Sequence, residues 1–135
     1  MRQRGQGLVE WAVVAFVLLL FSLGILALGQ IVGEYMAVRS AASQGVFAAA
    51  RAPSAASAKA EASSAAVQAV SGSRVEDFSV SIDTGGFQRG GVVTVTTTGY
   101  VGLSQYPIVS QLLGQRFRLS WQTSAVIEPY RSRSQ

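Results

Sequence analysis

Apolar positions run almost without interruption near the start of the chain. From Trp11 to Gly29, nineteen positions, there is no charged residue, and Leu8 and Val9 extend the run on the other side of Glu10. A bilayer core is crossed by about 20 apolar residues of helix, so this run is long enough to span one. A core helix of a soluble protein keeps a polar face, whereas only Ser22 interrupts the middle of this one. Residues 30–50 lack proline and continue with Tyr35, Met36, Val38, Ala42, Val46 and Phe47, which fit a helical face. A single helix from Leu8 to Ala50 would be about 65 Å long at 1.5 Å per residue. Gly24, Gly29 and Gly33 lie a turn or more apart. Small residues let membrane helices approach closely, but glycine is also simply commoner there.

Pro53 breaks this pattern. Ser54 is placed to cap a second helix that runs to about Val70 and stops at Gly72. That stretch is rich in alanine and serine, with only Val67 and Val70 larger than alanine among its apolar residues. Alanine favours helix, but so small an apolar face must pack closely on something; a low-complexity linker is the alternative. From Arg74 the period changes to two. Phe78, Val80 and Ile82 alternate with Ser79, Ser81 and Asp83, and a loop flanked by Gly85-Gly86 and Gly90-Gly91 exposes Phe87 and Arg89. Val93, Val95 and Thr97 begin a second strand that reads on toward Val101 and Leu103. The clearest strand places Phe117, Leu119, Trp121, Thr123, Ala125 and Ile127 on one face. Between these strands, Pro107 to Gly114 reads as a short helix with proline near its start and glycine at its stop. The expected fold is α+β: a long N-terminal transmembrane helix extending into a soluble domain that has a second helix and an antiparallel sheet of about three strands. The helix over residues 30–50 is the natural cover for the apolar face of the sheet.

Composition narrows the chemistry. The chain has 135 residues, with 11 Lys+Arg against 7 Asp+Glu, no cysteine and no histidine. Disulfides, zinc sites built on cysteine or histidine, and histidine general bases are therefore excluded. The arginines are spread out apart from Arg131 and Arg133, and no basic cluster is interleaved with aromatics, so nucleic-acid binding is not expected. Lys59 is the sole lysine and could form a Ser/Lys dyad only within its Ala/Ser helix. Glu76 and Asp77 would point to opposite faces of an extended segment, a poor acid/base pair. No phosphate-binding glycine loop leads from a strand into a helix. The chain reads as a non-enzyme with no cofactor. Arg2 and Arg4 precede the apolar run and Glu34 is the first charge after it, so the positive-inside rule keeps the N-terminus cytoplasmic and exports the rest. A conventional secretory signal competes, with Ala27-Leu28-Gly29 as its small-x-small cleavage site, but its apolar core is normally only about 7–15 residues.

Glu10 is the oddity in the run. A carboxylate at depth in a membrane helix costs about 2.5–3.5 kcal/mol on insertion scales, less near the interface, and an ionisable residue there is a functional hypothesis by default. The simpler reading is that Glu10 reaches the headgroups and interacts with the N-terminal helix dipole. Its neighbours favour the first reading: two arginines, then Gly5, four residues, Glu10 and a long apolar helix. This arrangement resembles the class III signal of type IV pilins and pseudopilins. The compact Arg4-Gly5-Gln6-Gly7-Leu8-Val9-Glu10 form looks most like the TadE/TadF-type minor pilins of tight-adherence systems. Two positions depart from common patterns. Gln6 would begin the mature chain where many pilins have Phe or Met, and Trp11 follows the glutamate where Tad major pilins often have Tyr.

The resemblance implies cleavage between Gly5 and Gln6 by a prepilin peptidase, which leaves Glu10 as the fifth mature residue. Loss of Arg2 and Arg4 would lower the net charge from +4 to 9 − 7 = +2. It further implies that Glu10, with Trp11 beside it, takes part in assembly by pairing with the freed amine of an adjacent subunit. The implied division is a leader at 1–5, a transmembrane helix at 6–30, a helical extension and second helix at 31–72, and an antiparallel β domain at 73–135. The implied function is a structural or assembly subunit, a minor pilin or pseudopilin of a Tad-type surface pilus that supports pilus biogenesis and adhesion. Its partners would be other pilin subunits through the N-terminal helix, the prepilin peptidase and the inner-membrane assembly platform. It would reside in the bacterial inner membrane before assembly and in the surface pilus afterwards. The alternatives are a single-pass membrane-anchored binding domain outside any filament, and a major filament-forming pilin.

Overall fold

A computed structural model describes residues 2–127, with side chains from Gly5 onward. Met1 of the expected leader, Glu128 at the expected end of the last strand, and Arg131 and Arg133 lie outside the described residues. The elements in order are α1 (Arg2–Arg51), α2 (Ala55–Val70), β1 (Glu76–Asp83), β2 (Val92–Gly102), α3 (Pro107–Leu113) and β3 (Arg116–Val126). The strands form one antiparallel sheet in the order β1-β2-β3. The α+β architecture therefore matches the periodicity of the sequence.

Helix α1 is 50 residues long, about 75 Å at 1.5 Å per residue. It continues without a break through residue 30. Its first proline-free stretch ends only near Pro53, and Arg51 in the last turn complements the negative end of the helix dipole. The buried positions of α1 are Ala27, Glu34, Val38, Ala41, Ala42, Gly45, Val46 and Ala49, with half-buried Ile31 filling the gap. These recur every three or four residues, so one stripe faces the domain. Met36 and Phe47, which the sequence suggested for the same face, lie off that stripe and are exposed. Each sits one or two positions from a buried residue, about 100–200° around the helix.

The second helix forms as its sequence suggests. Ser54 and Ser57 make a reciprocal capping box: the Ser57 backbone N–H donates to Ser54 Oγ at 3.2 Å, and the Ser54 N–H donates to Ser57 Oγ at 3.1 Å. Ala58, Ala62 and Ala66 form its buried face. Their small size is what lets α2 approach α1. At Gly45 an added Cβ would lie 3.2 Å from the Ala62 carbonyl oxygen and 3.3 Å from Val95 Cγ1. Gly45 thus marks where α1, α2 and β2 converge.

Strand β2 lies between the other two and buries Val93, Val95, Thr97, Gly99 and Val101 in strict alternation. Thr97 is the polar member of this row. Its hydroxyl donates to the Val38 carbonyl at 2.9 Å, tying the sheet to α1. The opposite face is polar, with Thr94 and Ser124 hydroxyls 2.9 Å apart. The core has two parts. Val46, Ala49, Ala58 and Ala62 meet Val93, Val95 and Ile127 at one end, and Val38 meets Val101, Leu103 and Leu119 at the other.

Three local features differ from the sequence reading. Phe87, expected to be exposed, is half-buried and packs on the first core cluster; a positive φ of 48° turns the loop to direct it there. Phe117 begins the inward row of β3 but remains 40% exposed. The start of β1 is not regularly extended either. The register slips between Glu76 and Ser79, with Asp77 at φ 46°, and both carboxylates reach Arg116, at 3.3 Å from Glu76 and 2.5 Å from Asp77.

The packing at Gly45 sets a direct stability test. Gly45→Leu should lower unfolding stability by about 1–3 kcal/mol, because the added side chain meets backbone and a β-branched neighbour. Urea denaturation of the variant against the parent measures this, and an unchanged midpoint would show that α1 and α2 are not so closely apposed.

Candidate functional site: the exposed length of helix α1

Before Ala27, α1 leaves the domain. Leu8, Val9, Trp11, Val13, Val14, Phe16, Val17, Leu18, Leu19, Phe21, Ile25 and Leu26 are all exposed, Trp11 by 73%. Within the apolar stretch of this helix, only 6% of an 18-residue window long and apolar enough to cross a membrane is buried. That separates it from the core helix of a soluble fold. Bare apolar surface on this scale costs on the order of 10 kcal/mol in water, so lipid or other apolar helices must cover it. The N-terminal helix is thus a candidate membrane anchor.

Gly5 and Gln6 lie inside the first turns of this helix. The first four N–H groups of a helix have no intrahelical partner, and Gly5 and Gly7 each weaken helix by about 1 kcal/mol relative to alanine. The Gly5–Gln6 bond therefore lies in a turn where the helix is locally weak. Gln6 and Glu10 are one turn apart, and the Gln6 side-chain amide donates to Glu10 Oε1 at 3.5 Å, a long contact. Glu10 itself is exposed, beside Trp11 and among apolar side chains. Among the described residues, the ion pairs within 4 Å are those of Arg116, and none involves Glu10. A carboxylate entering an apolar environment in this state needs a cation or hydrogen-bond donors from outside the described chain.

Two polar features belong to the domain side. Glu34, only 9% exposed, lies in the buried stripe of α1, and both its carboxylate oxygens accept from the Arg74 backbone N–H at 3.1 Å. This charge-assisted contact pins the lead into β1 against the helix. The sequence marked Glu34 only as the first charge after the apolar run; its position four residues before Val38 was the available clue to burial. The second feature is Arg116. Its guanidinium is held above its ordinary pKa, mainly by the hydrogen bond to Asp77, against an opposing desolvation effect and with further support from the charges of Asp77 and Glu76. It stacks 4.8 Å from the Tyr100 ring and closes the end of the sheet where Gly102 pairs with Arg116. Lys59 is exposed on α2.

The profile of the TadE-like protein family matches residues 5–46. Over this segment the chain is similar to that family. The TadE-like segment spans both lengths of α1: the exposed apolar part with Gly5, Gln6, Glu10 and Trp11, and the stripe that docks on the sheet as far as Val46. The helix α2, the sheet and α3 lie beyond the match. Neither a curated protein nor a solved structure gives a significant match to the chain.

The division of α1 predicts that a chain beginning at Gly24 folds as a soluble domain, since the buried stripe starts at Ala27. Near-ultraviolet circular dichroism and sedimentation should give a folded species without detergent. A chain that precipitates or lacks fixed aromatic signals would mean that the earlier turns of α1 also hold the domain together.

Proposed function

We propose that this chain is a structural or assembly subunit, a minor pilin or pseudopilin of a Tad-type surface pilus, that supports pilus biogenesis and adhesion. The observation that carries this reading is the TadE-like match over residues 5–46, coincident with a bare apolar helix that bears Gly5, Gln6 and Glu10 at its start. In this reading a prepilin peptidase on the cytoplasmic side cuts between Gly5 and Gln6, where the helix is locally weak. The rest of α1 anchors the subunit in the inner membrane with the domain exported, and then enters the pilus beside other pilin subunits through the assembly platform. Glu10 pairs with the new amine of a neighbouring subunit and so selects one axial stagger; Trp11 packs beside it at the helix contact. The chain has no catalytic task of its own. Its folded β domain favours a minor subunit over a major one, because Tad major pilins, as the sequence resemblance implies, are usually much shorter.

Processing is tested by intact mass and N-terminal sequencing of the protein from its native cells, with and without the peptidase. The expected mature chain begins at Gln6 and is lost when the peptidase is absent. A chain that begins near Gln30 would instead indicate ordinary secretion, and an intact N-terminus in both strains would favour a membrane-anchored binding domain. The role of Glu10 has its own test. Glu10→Gln should be cleaved normally yet recovered in sheared pili at a level reduced by about tenfold, the loss expected for an interaction near 1.4 kcal/mol. Normal recovery would remove Glu10 from assembly.

A further inference from the structure

Helix α3 has no buried residue and carries Ile108, Leu112 and Leu113, of which Leu112 is 80% exposed. Seen alone, this would be a short helix with a wasted apolar face. Its position gives that face a partner. A cavity of about 250 Å³, with only apolar residues in its lining, separates Val109 and Leu112 of α3 from Gly24, Ala27 and Ile31 of α1. On its other side, Pro107 and Ile108 line a second hollow with Leu23. The Gln105 side-chain amide donates to the Gln30 side-chain oxygen, which holds the approach to α3 at that height. Leu23 lies six residues before Gly29, so α3 reaches about 9 Å below the end of the apolar run at 1.5 Å per residue. No charged residue occurs between Arg89 and Arg116, so β2, α3 and their connection carry no charge into an apolar phase.

We infer that α3 is a second membrane contact: an interfacial segment whose Ile108, Leu112 and Leu113 enter the outer-leaflet boundary of the bilayer that α1 crosses. This rests on the reading of α1 as a membrane span. The occupant is lipid because the face is continuous with the lipid-covered surface of α1, at the same height along that helix. Interfacial helices bury their apolar side about 5–10 Å into this zone, the depth that Leu23 sets here. The contact holds the domain against the membrane before any assembly step and fixes how deep the span sits. The polar faces of Thr94, Thr96 and Ser124 remain in water.

The chain has no cysteine, so single cysteines report one position each. The full chain carrying Leu112→Cys, Phe16→Cys or Ser81→Cys is labelled with an environment-sensitive fluorophore and reconstituted at low density in phosphatidylcholine vesicles that contain nitroxide lipids. All three parent residues are exposed in the free fold, so labelling leaves packing intact. The expected result is quenching of the Leu112 label to within roughly twofold of the Phe16 label, with the Ser81 label unquenched, as for a group about 5–10 Å below the boundary. A Leu112 label as unquenched as Ser81, with Phe16 quenched, overturns the proposal and leaves the span intact. An unquenched Phe16 label overturns the span and α3 contact together. If the Leu112 label is shielded from aqueous iodide only at high protein density and is out of reach of nitroxide lipid, a second copy covers α3, and the lipid contact is refuted.

Discussion

At Gly45 the α1 backbone lies against the Ala62 carbonyl and the Val95 side chain, and the rest of the domain is arranged about that approach. The second half of α1 turns mostly small side chains toward the domain, so bulk cannot fill that seam. The solution is to pack by closeness instead of bulk. Gly45 and Ala49 on α1 meet Ala58, Ala62 and Ala66 on α2, and dispersion between near-touching backbones replaces the larger side chains of an ordinary core. Larger residues, Val38 and Val46, are kept for the contacts with the sheet.

Polar ties fix the sliding that such smooth surfaces would otherwise allow. Thr97 reaches the Val38 carbonyl from the centre of β2, and Glu34 holds the Arg74 amide at the entry to β1. Both are directional contacts made from buried positions, and each loses its partner if α1 shifts by one turn. At the lower end of the sheet, the bulge at Asp77 gathers Glu76 and Asp77 on Arg116 across the first and last strands. The domain is thereby locked to one register along a helix whose outer half is featureless in its apolarity.

Much of this was legible in the sequence. The unbroken apolar run, the Ser54 cap, the alternation of β2 and β3 and the short helix from Pro107 all have local causes: charge, caps and period. The parts that were not legible depend on residues distant in sequence. Phe87 looked exposed because it sits among glycines, yet the core that receives it comes from other elements. The Asp77 bulge is set by a guanidinium thirty-nine positions away. Gly45 differs from Gly24, Gly29 and Gly33, which stand in open space, because a second helix crosses there, and spacing in the sequence cannot reveal that crossing. For the site, the Gly5, Gln6, Glu10 and Trp11 grouping was visible as a motif, and the fold adds that it occupies a surface the domain leaves bare.

Helix α1 has no proline before Pro53 and continues from its apolar half into the stripe beneath the sheet. A sharp kink needs proline, an inserted side chain or a comparable break in the hydrogen-bond ladder. Torque is therefore carried along its length: a twist applied to the span about its own axis turns the sheet with it. The direction in which the polar strand face looks is then set by how the apolar half of α1 is held about its axis, so azimuth, and not only height, passes along α1 to the domain.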